Sequence, residues 1–351
     1  MSQAPTLTDG VVTIRAHQES DEQGVVEQSC DPISRQWTRV PVPYDLDDAR
    51  SFVGGFIPAG WADESEWGFA VEYDGRYAGT ISLRNDGDGL AEIAYGSHPA
   101  VRGTGAMERA LRLLIGWGFD EKELRTIVWR ANKGNWASRK LAWRLGFSFD
   151  GTVRQWLPQR GELRDGWIGT LLRDEPREPR STWLDVPVLD ADGLRLRPWR
   201  ASDVPRIVEA CSEATSQRWL GQLPAPYVEA DAVAWLESTM ERQASGTAMN
   251  WAVVDPADDV VLASVGWFNY TPDVECEVGY WTHPEARGRR VATRATAAVE
   301  QRQRHLLAHR GEEAHRHHLR AMVNLVIEHV KRELLRRVRN THALPAWHFR
   351  A

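Results

Sequence analysis

The chain has 351 residues, is 42% apolar and 26% charged, and carries a net charge of −6. At roughly 100–200 residues per domain the length predicts two domains, and the composition is that of a soluble globular chain rather than a disordered one. No run approaches the ~18–20 apolar residues of a membrane span, and the N-terminus lacks a signal-peptide pattern. Cys30, Cys211 and Cys276 are scattered, with no Cys-x-x-Cys, so neither a zinc site nor a disulfide framework is expected; a cytoplasmic location fits. From Glu300 onward 11 Lys+Arg face 5 Asp+Glu, which leaves an acidic body that disfavours nucleic acid and suits cationic ligands such as amines.

In chain order, Val11–Ala16 alternates as a strand and Glu22–Ser29 suits a short helix. Trp67–Tyr73 and Arg76–Leu83 are strands joined by Asp74-Gly75, a hairpin signal. Leu90–Tyr95 is a further strand. Arg102-Gly103-Thr104-Gly105 leads into a helix over Ala106–Trp117, with Met107, Ala110, Leu111, Leu114 and Ile115 at helical spacing. Leu124–Ala131 is a strand, Asn135–Leu145 a helix stopped by Gly146, and Phe147–Val153 and Gly166–Leu172 are closing strands. A strand, a Gly-rich turn, a helix and a strand imply a parallel pair with a crossover helix.

The module is written twice. Pro41-Val-Pro43-Tyr44 returns as Pro224-Ala-Pro226-Tyr227 at a spacing of 183. Ala91-Glu92-Ile93-Ala94-Tyr95 returns as Cys276-Glu277-Val278-Gly279-Tyr280 at 185, and His98-Pro99 with Arg102-Gly103 as His283-Pro284 with Arg287-Gly288. The expected organisation is a first domain over 1–175, a linker over 176–190, a degenerate second domain over 191–299 and a basic, His-rich segment over 300–351. For that last segment two readings stand, a shifted reading frame and an amphipathic helix striped by residues from Leu319 to Val338. The cluster His315, His317, His318 offers no ordered ligand set, so no metal is expected.

Glycines in the Arg102–Gly105 turn let backbone amides approach a ligand, and the following helix N-terminus suits a phosphate. By itself this is also an ordinary tight turn. Set after Glu92-Ile-Ala-Tyr95 and before Asn135-x-x-Ser138 and Gly146-Phe147, it resembles the GNAT superfamily of acetyl-CoA-dependent N-acetyltransferases. It looks most like the branch acting on ribosomal-protein N-termini. The resemblance implies an α/β (α+β) fold: two tandem domains, each a mixed, mostly antiparallel sheet with a central splayed parallel pair and flanking helices. It further implies that Arg102, Gly103, Thr104, Gly105, Ala106 and Met107 hold the coenzyme pyrophosphate. The amides just after Tyr95 would hold the acetyl carbonyl, and Asn135 would contact the pantetheine arm. Met107 departs from the small residue usual there. Glu92 is then the candidate base and Ser138 the proton donor to the leaving thiolate; the Tyr that many members place seven residues after the Asn is Ala142 here.

Bland readings stand beside these. Glu92 could face solvent, Asn135 could only cap its helix, Tyr95 could only pack, and His98 and His283 read as turn residues. Trp61, Trp67 and Trp136 could shape the amine site. In the second half Glu277, Arg287, Gly288 and Ala292 keep the pattern, while Arg290 replaces the glycine. The expected activity is acetyl transfer to a small-molecule amine or a protein N-terminus by direct attack, with the first domain catalytic. A non-catalytic module that binds coenzyme A or a partner is the alternative. Neither nucleic acid nor membrane is an expected partner, and a homodimer is left open.

Overall fold

The structure, a computed structural model, describes residues 4–221, 223–271 and 275–309. The chain divides into two units between Ser181 and Thr182, a point inside the expected linker.

The first unit runs β1 (Leu7–Thr8), β2 (Val12–Arg15), α1 (Glu22–Cys30), α2 (Pro32–Trp37), α3 (Leu46–Ser51), α4 (Ile57–Asp63), β3 (Glu66–Tyr73), β4 (Arg76–Gly87), β5 (Leu90–Ser97), α5 (Ala106–Asp120), β6 (Thr126–Asn132), α6 (Trp136–Arg144), β7 (Gly151–Gln159) and β8 (Glu162–Leu172). Its strands form one sheet in the order β1-β2-β3-β4-β5-β6-β8-β7. Asp74 and Gly75 both adopt positive φ, 53° and 68°, and close the β3–β4 hairpin as a two-residue turn. Helix α5 buries the predicted stripe against the sheet. Asn135 caps α6, and Gly146, at φ 91°, follows its end.

Helices α2, α3 and α4 were not foreseen. Their start signals are legible: Asp31 caps α2 ahead of Pro32, and Asp45 and Asp48 form a capping box on α3. The expected strand over Phe147–Val153 is displaced to Gly151–Gln159, because a two-residue turn at Arg160-Gly161 (φ 49° and 82°) prolongs the β7–β8 hairpin.

The crossover pair is β5 with β6. They pair in parallel from Leu90–Thr126 to Ile93–Trp129 and no further. Beyond that point β5 stays paired to β4 as far as Ser97, and β6 to β8 as far as Asn132. The two strands therefore part.

The second unit runs β9 (Leu189–Ala191), β10 (Leu194–Arg197), α7 (Val204–Ser212), α8 (Ala214–Trp219), α9 (Glu229–Ala244), β11 (Met249–Val254), β12 (Val261–Thr271), β13 (Glu275–Thr282) and α10 (Val291–His309). Its described strands form an antiparallel sheet ordered β13-β12-β11-β10-β9. The stripe from Leu319 to Val338 and the cluster His315, His317, His318 lie outside the described residues.

The duplication extends to buried ion pairs. Arg15 meets Asp21 at 2.8 Å in the first unit, and Arg197 meets Asp203 at 2.9 Å in the second. Both aspartates are nearly inaccessible, so each arginine compensates an otherwise unpaired buried charge. Breaking such a pair from one side costs about 3–5 kcal/mol. Asp21→Ala is expected to bring forward the unfolding of the first unit in urea by that amount, and Asp203→Ala that of the second. A shift under about 1 kcal/mol would mean the pair contributes nothing net.

Candidate active site at the parting of two strands

Successive side chains on β5 point to opposite faces of the sheet. Tyr95 shares a face with Ile93, and Glu92 lies on the other with Ala94. The predicted residues thus occupy the two sides of one gap.

On the α6 side, Tyr95 Oη lies 2.7 Å from Ser138 Oγ. Trp129 Nε1 donates to Ser138 Oγ at 3.0 Å and to Tyr95 Oη at 3.2 Å. Asn135 Oδ1 accepts the Ser138 amide at 3.2 Å. Asn135 is therefore a cap, and the cap fixes where Ser138 stands. Tyr95 is more than packing. Burial pushes its phenol up to about 12, so it remains a donor at neutral pH. Trp129 was not foreseen; nothing in its local sequence reports a partner nine residues away.

On the opposite face, Glu92 is not a free carboxylate. It stands 3.7 Å from the Arg84 guanidinium and 3.4 Å from that of Arg130. Arg84 also meets Glu66 at 3.4 Å, and Arg130 lies over the Trp156 ring at 5.4 Å. The Glu92 carboxylate is thus engaged by two guanidinium groups. The tip of the β7–β8 hairpin reaches α2 and the residue after it: Gln159 Nε2 donates to Gln36 O at 2.8 Å and to Thr38 O at 3.2 Å. Trp61 and Trp67 do not line this face. They are buried with Trp117 in the core, and Trp136 packs on Trp167 at 4.7 Å.

The Gly-rich turn that the resemblance assigns to the coenzyme follows β5. Gly103 and Gly105 have φ of 79° and 83°, and a Cβ on either would meet no atom within 4 Å. The turn is open above its backbone. Thr104 Oγ1 donates to Val101 O at 2.7 Å and accepts the Ala106 amide at 3.3 Å. The first helical bond runs from Arg109 N to Gly105 O, which leaves the Met107 and Glu108 amides at the helix start. The Met107 side chain is buried and its Cε lies over Gly79, so its bulk enters the core and only its backbone faces the turn. These features fit a pyrophosphate held by backbone amides.

Arg102, which the resemblance assigns to the pyrophosphate, is engaged within the protein. Its guanidinium meets Asp31 at 2.6 Å and Ser34 Oγ at 3.2 Å, which straps the turn to the start of α2. Arg287 repeats this with Glu213 at 2.7 Å and Ser216 Oγ at 3.1 Å. Gly288 keeps φ at 77°, and Arg290 sits at 56°, a left-handed conformation that favours glycine. Ala292 is the second residue of α10, Glu277 lies on β13, and Tyr280 is 45% exposed. His98 and His283 are turn residues: each Nδ1 accepts an amide two residues on, and each Nε2 faces a glutamate, Glu27 or Glu209.

Comparison with known proteins follows the duplication. The family model described as "Acetyltransferase (GNAT) domain" matches residues 12–148 and again 193–339. The Bacillus subtilis (strain 168) protein YdaF, whose name places it among ribosomal N-acetyltransferases, is 36% identical over 105 residues. That alignment spans 29% of this chain and 57% of YdaF, a little over half of the relative's length. Two solved structures align with about half of the chain. One is RimL, named a ribosomal L7/L12 α-N-protein acetyltransferase, in complex with coenzyme A; it is 19% identical over 48% of this chain and 98% of its own, with a TM-score of 0.44. The other is a GNAT-family acetyltransferase from Bacillus anthracis, 20% identical over 49% and 100%, with a TM-score of 0.44.

Two outcomes are expected. Gly105→Ala places a methyl in the open space above the turn and a side chain at positive φ, so stability falls by about 1 kcal/mol and acetyl-CoA affinity, read by calorimetry, by about tenfold or more; unchanged affinity would remove the turn from binding. The Arg102 guanidinium holds Asp31 below its ordinary value of 3.8. The pair's contribution to stability is then full above that value and lost as pH falls through the lowered one. The stability gap between wild type and Asp31→Asn should stay constant near neutrality and shrink on acidification below about 3.8; a gap that widened in acid would contradict this.

Proposed function

Because the chain belongs to the acetyltransferase (GNAT) family, we propose that it transfers an acetyl group from acetyl-CoA to a primary amine by direct attack in a ternary complex, with the first unit catalytic. The observation that carries this reading is the placement of Ser138 and Glu92 on opposite faces of the sheet where β5 and β6 part. Acetyl-CoA supplies the activated thioester. Backbone groups of Ala94–Ser97 on the unpaired edge of β5 would bind it as an added strand does, and an amide just after Tyr95 would take the developing oxyanion. Gly103, Gly105 and Met107 present amides to the pyrophosphate.

The amine enters from the Glu92 face. Glu92 orients the incoming amine, and the proton that the amine releases passes to water. Ser138 acts from the other face and gives its proton to the departing sulfur. For the acceptor, the name of YdaF, a ribosomal N-acetyltransferase, supports an amine of a protein, of which the N-terminus is the candidate here, and a small amine is the other candidate. In the second unit Arg290 occupies the place of Gly105, which supports a supporting rather than catalytic part for that unit.

Titration of acetyl-CoA into the full-length protein is expected to give one site per chain. Ser138→Ala should lower kcat about 100-fold with coenzyme affinity kept, whereas Glu92→Gln should act mainly on KM for the amine. Two sites per chain would make the second unit a working module, and full kcat in Ser138→Ala would remove it as the donor.

A further inference from the structure

We propose that Tyr95 and Trp129 are positioning residues for Ser138, which together occupy both lone pairs of its Oγ and turn its single proton out toward the sulfur. The proposal rests on the reading of Ser138 as proton donor.

A serine hydroxyl has one proton and two acceptor lone pairs, and an indole N–H can only donate. The single N–H of Trp129 is shared between Tyr95 Oη at 3.2 Å and Ser138 Oγ at 3.0 Å, and the shorter bond takes one lone pair of Ser138 Oγ. The bond to Tyr95 can run either way. In one arrangement Ser138 donates to Tyr95 Oη across 2.7 Å, and Tyr95 donates to the Ser138 backbone carbonyl across 3.2 Å. In the other Tyr95 donates to Ser138 Oγ, both lone pairs are filled, and the serine proton has to find an acceptor elsewhere. The exchange gives up one long hydrogen bond to the carbonyl. A thiolate at the gap offsets that loss, because hydrogen bonds to a charged acceptor are roughly twice as strong.

Position supports the assignment. Trp129 is the last residue of β6 in register with β5, so the three side chains gather where the strands part. Trp129 is fully buried, and the Asn135 cap holds the Ser138 backbone. The nearest charged neighbour on α6, Arg139, stacks on Phe149 at 3.7 Å and on Trp167 at 4.8 Å. Glu92 and Arg130 lie on the other face. A neutral donor set is thus aimed at the sulfur. In the reaction the amine nitrogen forms the C–N bond, and the C–S bond breaks with its electron pair on sulfur. Sulfur takes the Ser138 proton, and the proton released by the amine restores the serine through water. Tyr95 changes the direction of its hydrogen bond and keeps its proton.

Free coenzyme A is the probe, because its thiol can be titrated without knowing the acceptor. A donor aimed at sulfur favours the bound thiolate. Ultraviolet difference titration of coenzyme A on the full-length protein is expected to show about tenfold more thiolate at fixed pH, a shift of one pKa unit, than on Ser138→Ala. Tyr95→Phe, which deletes only the hydroxyl, should lose most of this gain while binding coenzyme A with unchanged affinity. The double variant should lose no more than Ser138→Ala, since both act through one proton. A Tyr95→Phe protein with wild-type thiolate content overturns the proposal and leaves Ser138 as donor. A Ser138→Ala protein with wild-type thiolate content overturns the donor reading itself, as does failure of the wild type to bind coenzyme A.

Discussion

A parallel pairing that stops after four residues governs the first unit. Past Ile93 and Trp129, β5 and β6 cannot satisfy each other, although each is held firmly by its outer neighbour, β4 or β8. An unpaired backbone edge inside a sheet is costly unless something else completes it. The cost is tolerable here because the gap opens at the end of the sheet, beside the turn that leads to α5. The same opening gives two faces access to one point, and this places a hydroxyl and a carboxylate across from each other although they sit close in the strand pattern.

The second unit acts as an internal control. Interactions present in both units belong to the fold: Arg15–Asp21 with Arg197–Asp203, His98–Glu27 with His283–Glu209, and the Arg102 strap with its Arg287 twin. Arg102 is accordingly a brace for the turn before it is a charge for a ligand. Features of the first unit alone mark its site. Tyr95 is hydrogen-bonded at the gap where Tyr280 stands 45% exposed, and Gly105 leaves open the space that Arg290 carries a side chain into. Arg290 still holds left-handed φ, so the backbone of the turn outlasts the residue that best suits it.

Much of this was legible in advance because it rests on local chemistry. Asp74-Gly75 dictates a turn, Asn135 and Gly146 bracket a helix, and the stripe on α5 declares its buried face. The resemblance named the turn, Glu92 and Ser138. What escaped depends on register or on short elements. Helices of six or seven residues, such as α2, α3 and α4, are too brief for periodicity to announce, although the caps of α2 and α3 do. Arg84 flanks Glu92 because the two are paired across β4 and β5, and no spacing along the chain reports that. Trp129 reaches Ser138 because α6 packs beside β6, which the spacing does not report either. Of the tryptophans expected to shape the amine site, Trp61 and Trp67 are core, Trp136 is partly buried against Trp167, and Trp129 and Trp156 were not distinguished in advance.

The bond from the hairpin tip to α2 has a topological consequence. With Gln159 anchored to the carbonyls of Gln36 and Thr38, the chain from the end of α2 to the tip of the β7–β8 hairpin is closed into a ring. Both bonds come from one side-chain amide, so a single group closes the ring, and its loss would release the hairpin tip and the end of α2 from each other at once.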